Sequence, residues 1–305
     1  MLKLEYIISS KLPKAEEDFL KKNLENEKRT EPKADWKLLF LEEGERSLKD
    51  FPPERSLLIS EDRILLKKAE ESGMVTVCYL PPQAYVDVDE DEAADFSADE
   101  DEAADFSPDL YAEGLEEVDF EFLQRVYRRH HKLPWFILAT ERCIVREFCM
   151  DDLDDLFELY AGEGMTDYIE PLYSYEEEKQ YQQAYIENMY GFYGYGMWVV
   201  CDRKTGKMIG RAGVEHREEL GGELELGYAI GRPYQGRGIA KEVCLAILDY
   251  VKEELEANRI FCLIDPGNCK SRCLAEGLGF FFDDKILVGN KTMMKYMLEL
   301  KRKND

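Results

Sequence analysis

Six consecutive residues combine two glycines with a basic residue directly before an amphipathic helix. They are Gln235-Gly-Arg-Gly-Ile-Ala240, and the helical pattern runs from about Ile239 to Leu255. Glycines let consecutive backbone N–H groups turn towards a ligand and approach it closely, and a helix start carries a partial positive charge. Because a strand also precedes the loop, the segment predicts a phosphate-binding site.

Basic residues surround this loop although the protein is strongly acidic. The chain has 305 residues, with 40 Lys and Arg against 65 Asp and Glu, and its formal net charge is −25. Even so, Arg232, Arg237 and Lys241 lie in or beside the loop. The alternative is a tight turn with solvated arginines. A local basic cluster at a helix start favours an anion site.

Two common phosphate loops do not match the segment. A Walker loop requires Gly-Lys-Ser/Thr, whereas Gly238 is followed by Ile239. A dinucleotide-binding fingerprint requires a third Gly or Ala, where this chain has Lys241. The ligand is therefore expected to be a different phosphate compound.

The loop resembles the Gln/Arg-x-x-Gly-x-Gly/Ala signature of the GNAT acyltransferase family. A second landmark lies downstream, where Asn268-x-x-Ser271 is followed by Leu278-Gly-Phe280, and it resembles the end of that family's pattern. The resemblance covers residues 142–300. Within the family it is most similar to the branch that includes ribosomal-protein N-acetyltransferases, through Glu225-Leu-Gly-Tyr228 and the Asn-Ser pair.

The resemblance implies that acetyl-CoA is the co-substrate. It would lie in a wedge between the strand that contains Tyr228 and the strand Arg259–Ile264, with its pantetheine paired to main chain and its pyrophosphate on loop amides. The expected binding residues are Tyr228, Ala229, Ile230, Gln235, Gly236, Arg237, Gly238, Ile239, Ala240, Lys241, Asn268 and Ser271.

The resemblance also implies that an acceptor amine attacks the thioester directly and needs a base. Glu225 is the first candidate and Glu215 the second, acting through water; either glutamate could instead be an ordinary solvated strand residue. Many relatives carry a Tyr four residues after the Ser to protonate the leaving thiolate, but this chain has Ala275. Ser271 or water would then supply that proton.

The expected acceptor is a primary amine on a small molecule or at a protein N-terminus. Two segments rich in Gly and aromatic residues, 164–171 and 190–196, would line its entrance or would only pack in turns, and Asp167 and Glu170 could attract a cationic amine. An alternative is a CoA-sensing or interaction module that has lost its chemistry, which Ala275 favours. A third reading is a phosphatase that acts through the first half of the chain.

The sequence predicts two domains of different class. Residues 1–35 form an N-terminal extension with one amphipathic helix, and 36–134 form a small α/β Rossmann-like domain, because strand, helix and strand follow in order. Residues 141–305 form an α+β acyltransferase domain with a mixed central sheet and flanking helices. In the first domain, the stretch from Leu57 to Leu80 resembles part of haloacid-dehalogenase-like domains, without their Asp-x-Asp nucleophile, so a degenerate domain is expected.

An acidic repeat interrupts the first domain. Asp89-Glu-Asp-Glu-Ala-Ala-Asp-Phe-Ser97 recurs as residues 99–107. So acidic a block cannot bury itself, and we expect a disordered insert over 87–109. A calcium site is the alternative, but the repeat lacks the Gly and the downstream Glu of an EF-hand loop.

Composition disfavours several classes of protein. No basic footprint suggests nucleic acid, no apolar run is long enough to span a membrane, and no signal peptide is recognisable, so we expect a cytoplasmic protein. The eight cysteines are expected to be reduced, and zinc is disfavoured because the chain has no Cys-x-x-Cys. No metal is expected. The oligomeric state is not predicted.

Overall fold

The computed structural model describes residues 2–30, 35–41, 47–81 and 106–300. The chain divides into two compact units, Met1–Leu133 and Pro134–Asp305. We call them the first and second units and describe each by itself.

The first unit is built on a five-stranded sheet whose neighbouring strands are all parallel. Its strand order is β2-β1-β3-β4-β5. The elements in chain order are β1 (Tyr6–Ser10), α1 (Lys14–Thr30), β2 (Lys37–Leu41), β3 (Ser56–Ser60), α2 (Arg63–Glu71), β4 (Val75–Tyr79), β5 (Leu110–Ala112) and α3 (Phe120–His130).

Burial on both faces explains the apolar strands of this sheet. Every residue of β3 and β4 is buried. Leu57 and Val77 pack into one hydrophobic cluster, and Leu58 and Cys78 pack into another. Continuous apolar runs are typical of parallel strands that are covered on both sides.

The structure corrects one prediction for the first unit. Residues 1–35 were expected to be an extension, but Tyr6–Ser10 forms an interior strand of the sheet, between β2 and β3. The helix predicted to follow it is α1. The strands and helix predicted between residues 36 and 80 are confirmed as β2, β3, α2 and β4. The Rossmann-like and haloacid-dehalogenase-like assignments stay predictions, and residues 82–105, which hold most of the acidic repeat, lie outside the described residues.

The second unit contains an eight-stranded mixed sheet of order β12-β13-β11-β10-β9-β8-β7-β6. Its strands are β6 (Phe136–Ala139), β7 (Cys143–Arg146), β8 (Met197–Asp202), β9 (Met208–Arg217), β10 (Glu223–Ile230), β11 (Arg259–Ile264), β12 (Phe281–Val288) and β13 (Lys291–Glu299). Its helices are α4 (Leu153–Tyr160), α5 (Tyr175–Tyr185), α6 (Ile239–Glu253) and α7 (Cys269–Leu278).

The sheet opens between its two central strands. All eight residues of β10 pair with β9 in antiparallel register. In contrast, β10 pairs with the parallel strand β11 only at Glu225 and Phe261. The edge of β10 from Tyr228 to Ile230 is therefore left without a partner strand among the described residues.

The helical segment before β8 changes form along its length. The α-helix α5 ends at Tyr185 and continues as a π-helix, Ile186–Tyr193. Tyr190 is completely buried in this wider turn, and its hydroxyl donates to the Met197 carbonyl oxygen at 2.6 Å. Tyr190 is thus buried where the helical pitch changes. Such π-helical turns are frequent at functional sites.

Candidate active site

The glycine-rich loop presents backbone amides at the start of α6. Gly236 and Gly238 have φ of +72° and +78°, a left-handed conformation that glycine adopts without strain. Gly238 is the N-cap of α6, and no side chain caps the helix there. The first amides of a helix have no intrahelical acceptor, so this N-terminus can donate to an anion.

The Arg142 side chain contacts both the loop and α6. Its Nη1 donates to the Arg237 carbonyl oxygen at 2.8 Å, and its Nε donates to Glu242 Oε2 at 2.6 Å. Burial by itself would raise the pKa of Glu242, but hydrogen bonds from Thr140 and Arg142 lower that pKa overall. Arg142 therefore orients the loop and also compensates the carboxylate nearest to it in α6. Sequence spacing gave no sign of this role.

Gln235 joins the loop to the end of β10. Its side-chain Nε2 donates to the Ile230 carbonyl oxygen at 2.8 Å, and its backbone N–H donates to the Arg232 carbonyl oxygen at 3.3 Å. Lys270 Nζ donates to Gln235 Oε1 at 3.4 Å. The backbone amide of Gln235, expected to bind pyrophosphate, is therefore already hydrogen-bonded within the protein. Lys270 adds a positive charge that the sequence analysis did not assign.

These residues fit the diphosphate of a CoA-type compound. The donors are an uncapped helix N-terminus, two left-handed glycines and the side chains of Arg237, Lys241 and Lys270. A Cβ at Gly236 would meet no atom within 4 Å, so the protein leaves room on that side of the loop. The charge of a diphosphate is complementary to these donors.

The predicted pantetheine residues lie close together beside the open edge of β10. The Tyr228 hydroxyl donates to the Ser271 carbonyl oxygen at 3.2 Å, and burial raises the Tyr228 pKa. Asn268 caps α7 by accepting from the Ser271 N–H at 3.1 Å. Ala275 is completely buried, so its position in α7 faces the core. The structure thus gives Asn268 a capping role, and the contacts of Ser271 are made by its backbone.

The two predicted glutamates are direct neighbours across β9 and β10. Glu215 and Glu225 pair in register, and side chains in that relation share one face of the sheet. Arg217 Nε donates to Glu225 Oε2 at 2.5 Å. Burial raises the pKa of Glu225, and the charge of Arg217 partly opposes that shift. Glu225 is therefore a partly buried carboxylate whose pKa is raised.

Tyr185 of α5 holds the second glutamate. Its hydroxyl donates to Glu215 Oε1 at 2.8 Å and accepts from the Met197 N–H at 2.7 Å. Burial, followed by the charge of Glu215, raises the pKa of Tyr185. A Cβ at Gly196 would lie 2.8 Å from the Tyr185 hydroxyl oxygen, so this position requires glycine.

The predicted acceptor segments contribute unequally. Tyr190 of the second segment packs edge-on against Tyr185, with ring centroids 5.6 Å apart. In the first segment, Glu170 is exposed and pairs with Lys291 at 2.6 Å. Its charge is thus partly compensated by a lysine, while the second segment lies beside the glutamate pair.

A buried arginine on β9 was not anticipated as a site residue. Arg211 is 7% exposed and lies over the Phe148 ring, 5.9 Å from its centroid. The sequence did contain a signal, because Arg211 is the one charged residue in the stretch Met208-Ile-Gly-Arg-Ala-Gly-Val214. A charge within an apolar strand indicates either a buried ion pair or a ligand contact.

The described residues contain neither a metal-binding cluster of side chains nor a membrane-spanning helix. Within residues 2–30, 35–41, 47–81 and 106–300, no three His, Cys, Asp or Glu side chains are grouped so that they could hold a metal ion. Across the same ranges, no helix has the length and apolar character needed to cross a membrane.

Comparison with known proteins identifies the class of the second unit. Residues 142–281 match the family described as acetyltransferase (GNAT) domain. YkkB of Bacillus subtilis is 31% identical over 163 residues, which are 52% of this chain and 93% of YkkB. The N-acetyltransferase p20 of Bacillus licheniformis is 26% identical over 144 residues, 47% of this chain and 81% of p20.

Solved structures of the same family are also similar. The ribosomal-protein-S5-alanine acetyltransferase from Vibrio fischeri has 21% sequence identity and a TM-score of 0.45, covering 53% of this chain and 95% of that one. The chain belongs to the GNAT acetyltransferase family. It is an acyl-CoA-dependent acetyltransferase, and the family match spans the loop, both glutamates, Asn268 and Ser271.

Proposed function

We propose that the chain transfers the acetyl group of acetyl-CoA to a primary amine by direct attack. The observation that carries this proposal is the open edge of β10, which leads from the glutamate pair to the uncapped start of α6. This arrangement suits a ligand that has a chain with amide groups and a diphosphate. The reactive end of such a ligand would lie beside the glutamates.

Main-chain groups would hold most of the co-substrate. The unpaired edge at Ala229 and Ile230 suits the amides of pantetheine, as an added strand would pair there. Amides from Gly236 to Lys241 suit the diphosphate. Acetyl-CoA, when bound, supplies an acetyl group already activated as a thioester.

Glu225 is the proposed base, with Glu215 as a second acceptor through water. An ammonium has no lone pair for attack, so the amine must first lose a proton. A carboxylate with a raised pKa accepts a proton more readily than an ordinary one, and burial gives Glu225 that property. The pair of carboxylates also favours a cationic amine over a neutral one.

The ammonium loses one proton to the base before attack and a second proton after the new C–N bond has formed. As the C–S bond breaks, the leaving thiolate takes up one proton through a nearby donor, and the other proton is released to solvent. Ala275 has no proton to give. We therefore assign this proton to the Ser271 hydroxyl or to water.

The same site supports a second candidate, a CoA sensor without turnover. The observation in its favour is Ala275, which is buried at the position where the resemblance leads one to expect a Tyr. A sensor would keep the loop and the open edge but would release no thiol.

Free-thiol release from acetyl-CoA with a panel of amines and peptides tests the proposal. We expect turnover that requires both an amine and acetyl-CoA. Glu225→Gln should lower kcat by about 10²–10⁴-fold, the usual contribution of a positioned base, and should leave CoA affinity unchanged. Glu158→Gln is the matched control, because Glu158 is exposed and pairs only with Lys207 at 2.7 Å among the contacts described. Thiol release that is equal in wild type and Glu225→Gln contradicts the assignment of the base, and no release with any acceptor favours the sensor.

A further inference from the structure

Arg211 is a buried cation without a counter-ion in direct contact. No carboxylate lies within 4.0 Å of its guanidinium among the described residues, and its side chain makes no hydrogen bond to any of them. Its Nε is fully buried and has no acceptor. The Phe148 ring contacts the guanidinium, whereas the Glu215 carboxylate acts on it only from beyond ion-pair distance.

This arrangement is energetically unusual. Arginine remains protonated in proteins, and a buried charge is strongly unfavourable unless it is paired or hydrogen-bonded. A half-buried arginine of the same unit shows the usual solution, because Arg146 makes two hydrogen bonds to Asp152, at 2.7 and 2.6 Å. Arg211 is more deeply buried than Arg146 and has no such carboxylate in contact.

Arg211 lies on the same face of the sheet as the proposed base. Side chains alternate along a strand, so Arg211 and Glu215 of β9 share one face, and Glu225 opposite Glu215 shares it too. Along β9 the two charged residues are four positions apart, or about 13 Å between their Cα atoms. Two tyrosines, Tyr185 and Tyr190, lie near Arg211 and act on its charge. Tyr185 also donates a hydrogen bond to Glu215.

The terminal amino groups of Arg211 remain within reach of a small ligand. Of the three Arg211 nitrogens, only Nε is completely buried without a hydrogen-bond partner. The two terminal nitrogens also make no hydrogen bond, but they keep some contact with solvent. A planar guanidinium with two open N–H groups is suited to bind a carboxylate through two parallel hydrogen bonds.

We infer that the acceptor is a small zwitterion, an amine that also carries a carboxylate, and that Arg211 binds the carboxylate while Glu215 and Glu225 receive the amine. This rests on the proposed function, since it names the substrate class of that site. A polyamine would place further positive charge near Arg211, and a peptide N-terminus offers only a neutral carbonyl there. A carboxylate supplies the missing charge.

Matched acceptor pairs test the inference. The pairs are ω-amino acids of increasing chain length and the alkylamines of the same length, which differ only in the carboxylate. We expect wild-type kcat/KM to be about 10- to 100-fold higher for the amino acid at the best length, as for a charge-assisted hydrogen-bonded pair. Arg211→Met should reduce that ratio towards one, and Arg211→Lys, which keeps the charge but not the fork, should reduce it in part.

Controls separate this role from a structural one. Arg203→Met should leave the ratio unchanged, because Arg203 donates to the Thr140 carbonyl oxygen on an exposed hairpin. CoA affinity and circular dichroism show whether Arg211→Met is folded, and the wild-type ratio is informative without any variant. A wild-type ratio near one overturns the inference, as does a ratio that survives in Arg211→Met.

Failure of the proposed function gives a different pattern. If no amine is acetylated, calorimetry of the ω-amino acids with CoA present decides the matter. Saturable binding that Arg211→Met abolishes supports the carboxylate site in a protein without turnover. Absence of any carboxylate-dependent binding overturns the inference.

Discussion

At the scale of single residues, the two central glutamates differ in what holds them. Glu225 receives an ion pair from Arg217, and Glu215 receives a hydrogen bond from the Tyr185 hydroxyl. Both partners stabilise the charged carboxylate that they contact, and burial raises the pKa of Glu225 although Arg217 opposes that shift. The two glutamates are therefore held by partners of different chemistry, an arginine and a tyrosine.

The first prediction concerns the acidic limb of the pH–rate profile. The base acts in its deprotonated form, so kcat/KM should fall as the pH drops through the raised pKa of Glu225. The Arg217 charge lowers that pKa, so Arg217→Met should move the acidic limb to higher pH. Rates of thiol release across a pH series measure the shift, with Arg203→Met as a control. A limb that stays in place or moves to lower pH contradicts the role of Glu225.

Some of these residues could be identified from the sequence and others could not. Glu225 and Glu215 were found because the family pattern gives their strands. Arg217 and Tyr185 were not, because their contacts depend on strand register and on the docking of α5, which sequence periodicity does not fix. Arg211 carried a signal, a charge in an apolar strand, whose meaning depended on whether a carboxylate lay nearby.

At the scale of elements, the glycine-rich loop depends on backbone conformation more than on side chains. Gly238 has φ +78° at the start of α6, and Gly206 has φ +74° in the hairpin between β8 and β9. At both positions a Cβ would meet no atom closer than 3.6 Å. The two glycines therefore differ in location but hardly in steric demand.

The second prediction compares these two glycines, which have similar backbone conformation and similar space for a Cβ. Gly238→Ala and Gly206→Ala should each destabilise the protein by about 1–2 kcal/mol, the cost of a left-handed non-glycine residue. Only Gly238→Ala should weaken CoA binding, by about 10-fold or more, since it disturbs the amides at the helix start. Thermal unfolding and calorimetric titration with CoA measure the two effects. Equal CoA affinity in both variants would show that the loop is not the diphosphate site.

Periodicity predicted some elements and missed others of the same length. Helix α6 and strands β7 to β11 follow clear patterns of apolar residues. Strands β1, β5, β6, β12 and β13 were not predicted, and β12 shows one reason, because most of its residues are exposed and give no alternation of buried and exposed positions. The π-helix was also not predictable, since it follows from burial of Tyr190.

At the scale of the whole molecule, the first unit has its own titrating contact. His130 at the end of α3 bonds Asp109 at 2.7 Å, and Asp109 also accepts from the Thr76 N–H of β4 at 2.8 Å. The hydrogen bond to Asp109 raises the pKa of His130, although burial opposes it. The adjacent His131 behaves oppositely, because burial lowers its pKa.

The third prediction follows from the sign of these shifts. A histidine whose pKa is raised on folding stabilises the fold below its unfolded pKa, and that stability is lost as the pH rises through the folded pKa. The lowered pKa of His131 changes stability only below the unfolded pKa of a histidine, so above that pH the first unit should become less stable as the pH rises, and His130→Gln should remove this loss. Hydrogen exchange of peptides from the first unit, in the full chain, measures it, with peptides of the second unit as the reference. A stability that increases over this range contradicts the assignment.

The divergence of β10 from β11 is asymmetric. At one end Glu223 binds Arg259 at 2.5 Å and Lys295 at 2.7 Å, which ties β10 to β11 and β13. At the other end, beyond Glu225, whose carboxylate also accepts a hydrogen bond from the Leu263 N–H, β10 has no pairing with β11 among the described residues. Strands β6 to β10 and strands β11 to β13 are therefore joined near Glu223 and Glu225, and their pairing ends before Ile230. Because β9 and β10 pair along all eight residues of β10, Glu215 and Glu225 lie on the same side of this division, and a ligand that entered the gap would leave the spacing of the two glutamates unchanged.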